Sequence, residues 1–217
     1  MQTRPDKSDK SDRSRPTTRR TNRERTEATR ADLIAAARKL FTERSYAATG
    51  TPEIAAAAHV TRGALYHHFA DKQALFRAVV ESEALAVAEE IERATPRTLS
   101  AKRAFLAGAD AYLAAMAVPG RTRLLLLDGP AVLGRAEMDA IDAKHAARTL
   151  REGLVIAMRE GAMPKRRSIG ALTSLLSAVF DRAALSIDAG APAKEYRSAI
   201  LAILDGMMPP APSGSSG

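Results

Sequence analysis

The 217 residues contain no cysteine and no tryptophan. The first absence excludes a disulfide framework, thiolate metal sites and cysteine nucleophiles, and it fits a reducing cytoplasm. No apolar run approaches the roughly 20 residues that a membrane span needs. The N-terminus lacks the apolar stretch of a secretory signal. The common catalytic signatures are missing as well: there is no GxGxxG, no GxxxxGK before Ser or Thr, no HExxH and no GxSxG. No internal repeat is detectable. These absences predict a chain that is not an enzyme, holds no cofactor or metal, and has no membrane partner.

What is present is a strong helical pattern and a basic balance. The apolar fraction of 46% supports a sizeable core, and the net charge of +8 favours an anionic partner, with nucleic acid ahead of membrane. Residues 1–26 are polar and hold almost nothing to bury, which predicts a disordered arm. Arg13, Arg15, Arg19, Arg20, Arg23 and Arg25 concentrate there. Such an arm can enter a minor groove or follow phosphates; the competing reading is a solvated tail.

The organising stretch is Ile54 to Phe69, with DKQAL behind it. It predicts two short helices joined by a tight turn. Thr51 is placed to cap the first, with Pro52 in its first turn and Glu53 against the dipole. The turn falls at His59-Val60-Thr61, where His59 tolerates positive φ. Thr61 then caps the second helix. At about 100° per residue, Leu65 and Phe69 share an inward side with Ala64 and His68, while Arg62, Gly63, Tyr66 and His67 face outward. That outward set suits a major groove: Arg pairs with guanine, Gly permits close approach, and Tyr and His reach phosphates. Thr51, Thr61 and Lys72 are expected on phosphates. An amphipathic core helix with a solvated polar face is the plainer alternative, and it does not explain why the segment is short, capped and preceded by a tight turn.

From Leu33 to Val80, LIAAARKLFTERSYAATGTPEIAAAAHVTRGALYHHFADKQALFRAVV resembles the N-terminal domain of the TetR family of bacterial transcriptional regulators, most specifically at VTRGALYHHFADKQAL. Two departures, Ser45 and His59, stand where the family often has glycine. The resemblance implies an all-helical dimeric repressor whose C-terminal domain binds a small molecule. On this reading the fold is all-α, with a helix-turn-helix domain over 27–80, a helical effector-binding and dimerisation domain over 81–208, and a flexible tail, PPAPSGSSG, over 209–217.

Along the chain, a first helix is predicted from about Glu27, with Leu33, Ile34, Ala37, Leu40 and Phe41 inward. Asp71 caps a long helix with Leu75, Phe76, Val79, Leu85, Ala88 and Ile91 inward. Further helices follow over 100–116, over 136–163 (one or two), over 168–189 and over 192–207. Between the first two of these, Leu124 to Leu127 form a buried run interrupted by Asp128-Gly129-Pro130. Asp128 is expected to cap the next helix, with a polar place in a pocket as the other reading. Asp139, Asp142 and His145 spread too widely around a helix to share an ion well, and are expected to be solvated.

Useful operator specificity needs two half-sites and a two-fold dimer. Leu150, Leu154 and Met158, with Leu172, Leu176, Val179 and Ala183, offer the seam of an intermolecular four-helix bundle, the arrangement the resemblance implies. The same stripes also fit burial within one subunit. The candidate effector lining is Tyr112, Met116, Leu124, Leu127, Met158 and Phe180, large or adaptable side chains expected to face inward, against the alternative of plain core. With little inward charge, they predict a mainly apolar effector. The expected function is therefore a cytoplasmic, nucleoid-associated homodimer that represses from palindromic double-stranded operator DNA and is released by a small hydrophobic molecule. A constitutive architectural DNA-binding protein of the same fold is the alternative.

Overall fold

The computed structural model describes residues 21–164 and 168–208, and every regular element within them is helical. The first helix, α1 (Asn22–Arg44), begins five residues before the expected Glu27. The reason is a capping box that the sequence reading passed over. The Thr21 hydroxyl accepts from Glu24 N at 3.2 Å, and Thr21 N donates to the Glu24 carboxylate at 2.8 Å. Residues 21–26 thus belong to a helix and its cap rather than to an arm. Arg13, Arg15, Arg19 and Arg20 lie outside the described residues, as does the expected tail 209–217.

α2 (Thr51–Ala57) and α3 (Arg62–His68) pack on α1 and on the start of α4 (Lys72–Ala94). Leu33, Ala37 and Phe41 from α1 meet Ile54, Leu65, Phe69 and Phe76 in a closed core, while Ile34 and Leu40 are half-buried at its edge. Tyr46 completes an aromatic cluster, its ring 5.6 Å from Phe41 and 5.0 Å from Phe76. Both turn positions adopt positive φ without glycine. His59 sits at φ 54°, and Ser45 at φ 81°, ψ 162°, a region that side chains other than glycine rarely enter.

α4 runs unbroken through residue 80, so the two domains share a helix. Leu75, Phe76, Val79, Ala88 and Ile91 are inward as expected, but Leu85 is not. Its place in the buried stripe is taken by Glu83, flanked by Val80, Ala84 and Val87. A charge can occupy that stripe because two arginines meet it, as described below.

The C-terminal bundle centres on α5 (Ala101–Met116), which packs against α4, α9 (Ala146–Arg159), α10 (Ile169–Asp188) and α11 (Ala193–Met207). Between α5 and α8 (Arg135–Lys144) the chain does not break at Asp128-Gly129-Pro130. α6 (Arg121–Arg123), a π-helical turn (Leu124–Asp128) and α7 (Gly129–Leu133) form one continuous run. Gly129 N donates to Leu124 O, five residues back. This widened turn admits Pro130, which supplies no N–H and crowds the preceding turn of a regular helix. α8 and α9 are separated at His145, which has φ −120° and ψ −105°. By length and composition α10 is apolar enough to cross a membrane; it nonetheless carries Asp181 and Arg182, and one side of it, including Leu176 and Phe180, packs into the bundle.

Candidate nucleic-acid interface and ligand cavity

The outward side of α3 carries Arg62, Gly63, Tyr66 and His67, all exposed. Thr61 caps the helix, its hydroxyl accepting from Ala64 N at 3.1 Å. The Arg62 guanidinium lies 5.6 Å from the centre of the Tyr66 ring, and the Tyr66 and Thr51 hydroxyls share a hydrogen bond of 3.1 Å. Those contacts, with Thr51 first and Arg62 second, hold the Tyr66 phenol below its ordinary pKa. A Cβ on Gly63 would meet nothing closer than Thr61 Oγ1 at 3.8 Å. The chain's own packing therefore does not require a glycine there. His68 is half-buried, as expected, and burial leads the effects that lower its pKa, followed by the charges of His67 and Arg30.

Two expected roles near α3 change. Thr51 does not cap α2. Gly50 holds the cap position, and its N–H donates to Glu53 at 2.9 Å. Thr51 lies within the first turn, 8% exposed, with its hydroxyl engaged by Tyr66. That makes it a support for Tyr66 rather than a free phosphate donor. Lys72, in the first turn of α4, is half-buried with its ammonium 4.2 Å from the Tyr46 ring centre, so the aromatic cluster fixes its position beside α3.

A buried ion network joins this head to the bundle. Arg38 of α1 donates to Glu83 at 2.8 Å and Arg121 of α6 donates to it at 2.9 Å; Arg121 also reaches Glu90 at 3.0 Å and the Ala115 carbonyl at 2.7 Å. Burial acts to raise the Glu83 pKa, but the hydrogen bonds and charges of Arg38 and Arg121 together outweigh it and leave the carboxyl below its ordinary range. Gly120, at φ 79°, brings the α5–α6 turn onto α1 so closely that a Cβ would stand 2.0 Å from Thr42 Cγ2. A second link runs from Gln73 to the Val132 carbonyl at 2.8 Å and from Arg77 to Glu137.

Within the bundle, a cavity of about 830 Å³ lies between the end of α4, α5, α9 and α10, with Phe105, Tyr112, Leu150, Ile156 and Phe180 on its walls. A smaller chamber of about 320 Å³ lies behind it, lined in part by Tyr112, Met116, Met138 and Asp181. Of the expected effector lining, Tyr112 faces both spaces, Phe180 the larger and Met116 the smaller. Leu124 and Met158 are core residues outside either wall, and Leu127 is 51% exposed. The π turn rotates Leu127 outward, an effect that no regular period predicts.

The expectation of little inward charge does not hold. The Tyr112 hydroxyl donates to Asp181 at 2.7 Å, and Ser177 Oγ donates to Asp142 at 2.9 Å. Burial leads the causes that push Asp181 up to about 6 and raise Asp142. Asp142, expected as a solvated helix charge, also accepts from Ala147 N at 3.2 Å, across the α8–α9 break. His145 is half-buried at that break, and only Asp139 is exposed as expected. Asp128 does not cap α7; it faces Arg123 at 3.3 Å.

The expected seam divides. Leu154, Leu176 and Ala183 are buried inside this chain, so they build its own core, and Leu150, Leu172 and Val179 are half-buried. The side of α10 left open carries Ala171, Leu175 and Ala178, with Leu175 66% exposed; on neighbouring α11, Ile203 is 46% exposed. Large apolar residues mark a stripe that the subunit buries in part for itself, at Leu154, Leu176 and Ala183.

A capped three-helix head with an exposed α3, joined through α4 to a helical bundle with a half-open cavity, defines a two-domain helix-turn-helix regulator. Residues 33–79 match the bacterial regulatory proteins of the tetR family, and residues 102–209 match the tetracyclin repressor-like C-terminal domain. A solved TetR-family transcriptional regulator from Pectobacterium atrosepticum is similar over 87% of this chain and 98% of its own, at 33% identity and a TM-score of 0.69. The chain belongs to the TetR family of regulators, which are not enzymes. The curated relatives match only part of this chain and of their own. The regulator AcrR of Shigella flexneri is 45% identical over 53 residues, 24% of this chain and 25% of AcrR. The repressor AcnR of Corynebacterium efficiens is 33% identical over 63 residues, 29% of this chain and 34% of AcnR. The chain thus spans about a quarter to a third of the length of these two relatives.

Proposed function

We propose that the protein is a homodimeric transcriptional repressor that acts on chromosomal DNA in the cytoplasm. On this reading it holds a palindromic operator with two copies of α3 and releases it when a small molecule enters the C-terminal bundle. The open face of α3 carries the reading. Arg62 supplies a fork suited to guanine, Gly63 leaves backbone bare for close approach, and Tyr66 and His67 flank them. Thr61 and Lys72 contribute phosphate contacts at the edges, with Thr51 acting through Tyr66. Selection of bound sequences from random duplexes tests this directly: a two-fold symmetric site is the expected product, and a set without symmetry or base preference contradicts it.

Dimerisation is supported by the open apolar sides of α10 and α11, where Leu175 and Ile203 stay largely exposed among the described residues. Two such pairs from two subunits make a four-helix interface, which brings two reading heads to one duplex. The cavity of about 830 Å³ favours a ligand-responsive protein over a constitutive one, since a purely architectural bundle would pack solid. A ligand loosens the operator only if it binds better to the arrangement of heads that does not fit DNA. A coupling of about 1–3 kcal/mol corresponds to a roughly 5–150-fold change in operator affinity.

A further inference from the structure

The smaller chamber carries an unbalanced charge. Its apolar side is formed by Val87, Met116, Leu125, Met138 and Ile141, and Asp142 and Asp181 also line it. Each carboxylate has only neutral hydrogen-bond donors. Tyr112 serves Asp181, while Ser177 and the Ala147 backbone serve Asp142. Among the described residues, neither forms an ion pair with a Lys or Arg. Arg135 and Arg182 also line the chamber; the Arg135 charge acts on Asp181 without an ion-pair contact, too weakly to offset burial, while Asp139 adds a negative charge near Asp142 and His145 lies at the adjoining break. Elsewhere in this protein a buried carboxylate is answered: Glu83 has two guanidiniums. Here there is open volume instead. The chamber and the want of a directly paired cation among the described residues are separate observations, and both favour an occupant.

We infer that this chamber takes a small organic cation, a protonated or quaternary amine, with its charge beside Asp181 and Asp142 and its carbon groups against the apolar wall. This rests on the ligand-responsive reading and names the chemistry of its effector. Three physical terms favour a cation. A carboxylate lacking a partner in a low-dielectric site is stabilised by any cation that reaches it. Tyr112, which lines both the chamber and the larger cavity, brings an aromatic ring close to where an ammonium would sit. The wall methionines adapt to methyl and methylene groups. An anion would meet two carboxylates, and a neutral molecule of the same shape would leave them uncompensated. The larger cavity adjoins the chamber, with Tyr112 and Ala146 lining both.

The test uses the full chain and calorimetry at pH 8 with four probes. Choline and benzyltrimethylammonium are permanent cations, 3,3-dimethylbutan-1-ol is the neutral isostere of choline, and 3,3-dimethylbutanoate is an anion of similar shape. The expected result is cation binding at least about tenfold tighter than binding of either uncharged or anionic probe. Asp181→Asn and Asp142→Asn should each weaken the cations by at least about tenfold and leave the neutral isostere unchanged. Thermal melting checks that each variant folds. Should neither fold, the wild-type affinity for benzyltrimethylammonium is followed with pH, and it should fall as the solution is acidified through about 6, where Asp181 takes a proton. No binding by either cation, equal binding of choline and its neutral isostere, or affinity indifferent to both substitutions and to pH overturns the inference. Operator affinity is measured alongside. Cation binding that leaves the operator held keeps the ligand class and overturns the effector role; failure of the ligand-free protein to bind DNA overturns the regulator reading alone.

Discussion

At the scale of single residues, two positions separate stability from function. Gly63 sits in a short helix where its own chain leaves space for a Cβ. Gly63→Ala should therefore raise unfolding stability by about 0.5–1 kcal/mol, because alanine favours helix. The same methyl stands on the reading face, so operator affinity should fall. Denaturant melts and DNA titrations on one preparation check both signs. Asp181 behaves differently. Burial raises it from an ordinary 3.8 to about 6, so between those values the folded chain binds more proton than the unfolded one. Its contribution to stability is therefore lost as pH rises from about 4 to about 6. Asp181→Asn removes that loss. Relative to wild type, the variant should be about 2 kcal/mol more stable at pH 7 than at pH 4. Denaturation at both pH values measures the difference, which isolates Asp181 from His68, His145 and Glu83.

At the scale of elements, legibility in the sequence followed the regularity of the backbone. The turn at His59, the cap at Thr61 and the two sides of α3 were readable because a 3.6-residue period and a known turn chemistry dictate them. The early start of α1 was written in Thr21 and Glu24, but a polar composition masked it. The π turn was not readable. One residue of extra winding turned Leu127 outward and let Pro130 continue a helix. The large apolar residues of α10 marked a buried stripe without saying what buries it. Leu176 and Ala183 proved to face the subunit's own core, while sparser Leu175 is left open. Leu175→Glu should thus leave the fold intact and weaken the dimer by about 2–6 kcal/mol, counting a buried charge from each copy. Sedimentation at micromolar concentration should then show monomers; an unchanged dimer would move the interface elsewhere.

At the scale of the whole molecule, the heads and the bundle meet at Glu83. In the sequence Glu83 is one acid among many on α4, distinguished only by falling on the apolar side. In the structure Arg38 of the head and Arg121 of the bundle both close on it, and Gly120 lets the turn beside Arg121 lie on α1. Glu83→Gln leaves the half-buried Arg38 guanidinium without its charge partner and the buried Arg121 with Glu90 alone, and should destabilise the protein by about 3–5 kcal/mol. If the network also carries the ligand signal, the effector-induced drop in operator affinity should shrink in the same variant. Calorimetric melting and operator titration with and without effector measure the two effects.

The proposed function turns on α3 reading DNA, with the Arg62 guanidinium as the side chain assigned to a base. Binding of wild type and Arg62→Ala to the selected operator, and to operators changed at each base pair, is the most direct measurement. The expected result is a loss of about 1–3 kcal/mol, or roughly 5–150-fold, with relaxed preference at one guanine and unchanged thermal stability. Unchanged affinity and unchanged base preference in Arg62→Ala would contradict it.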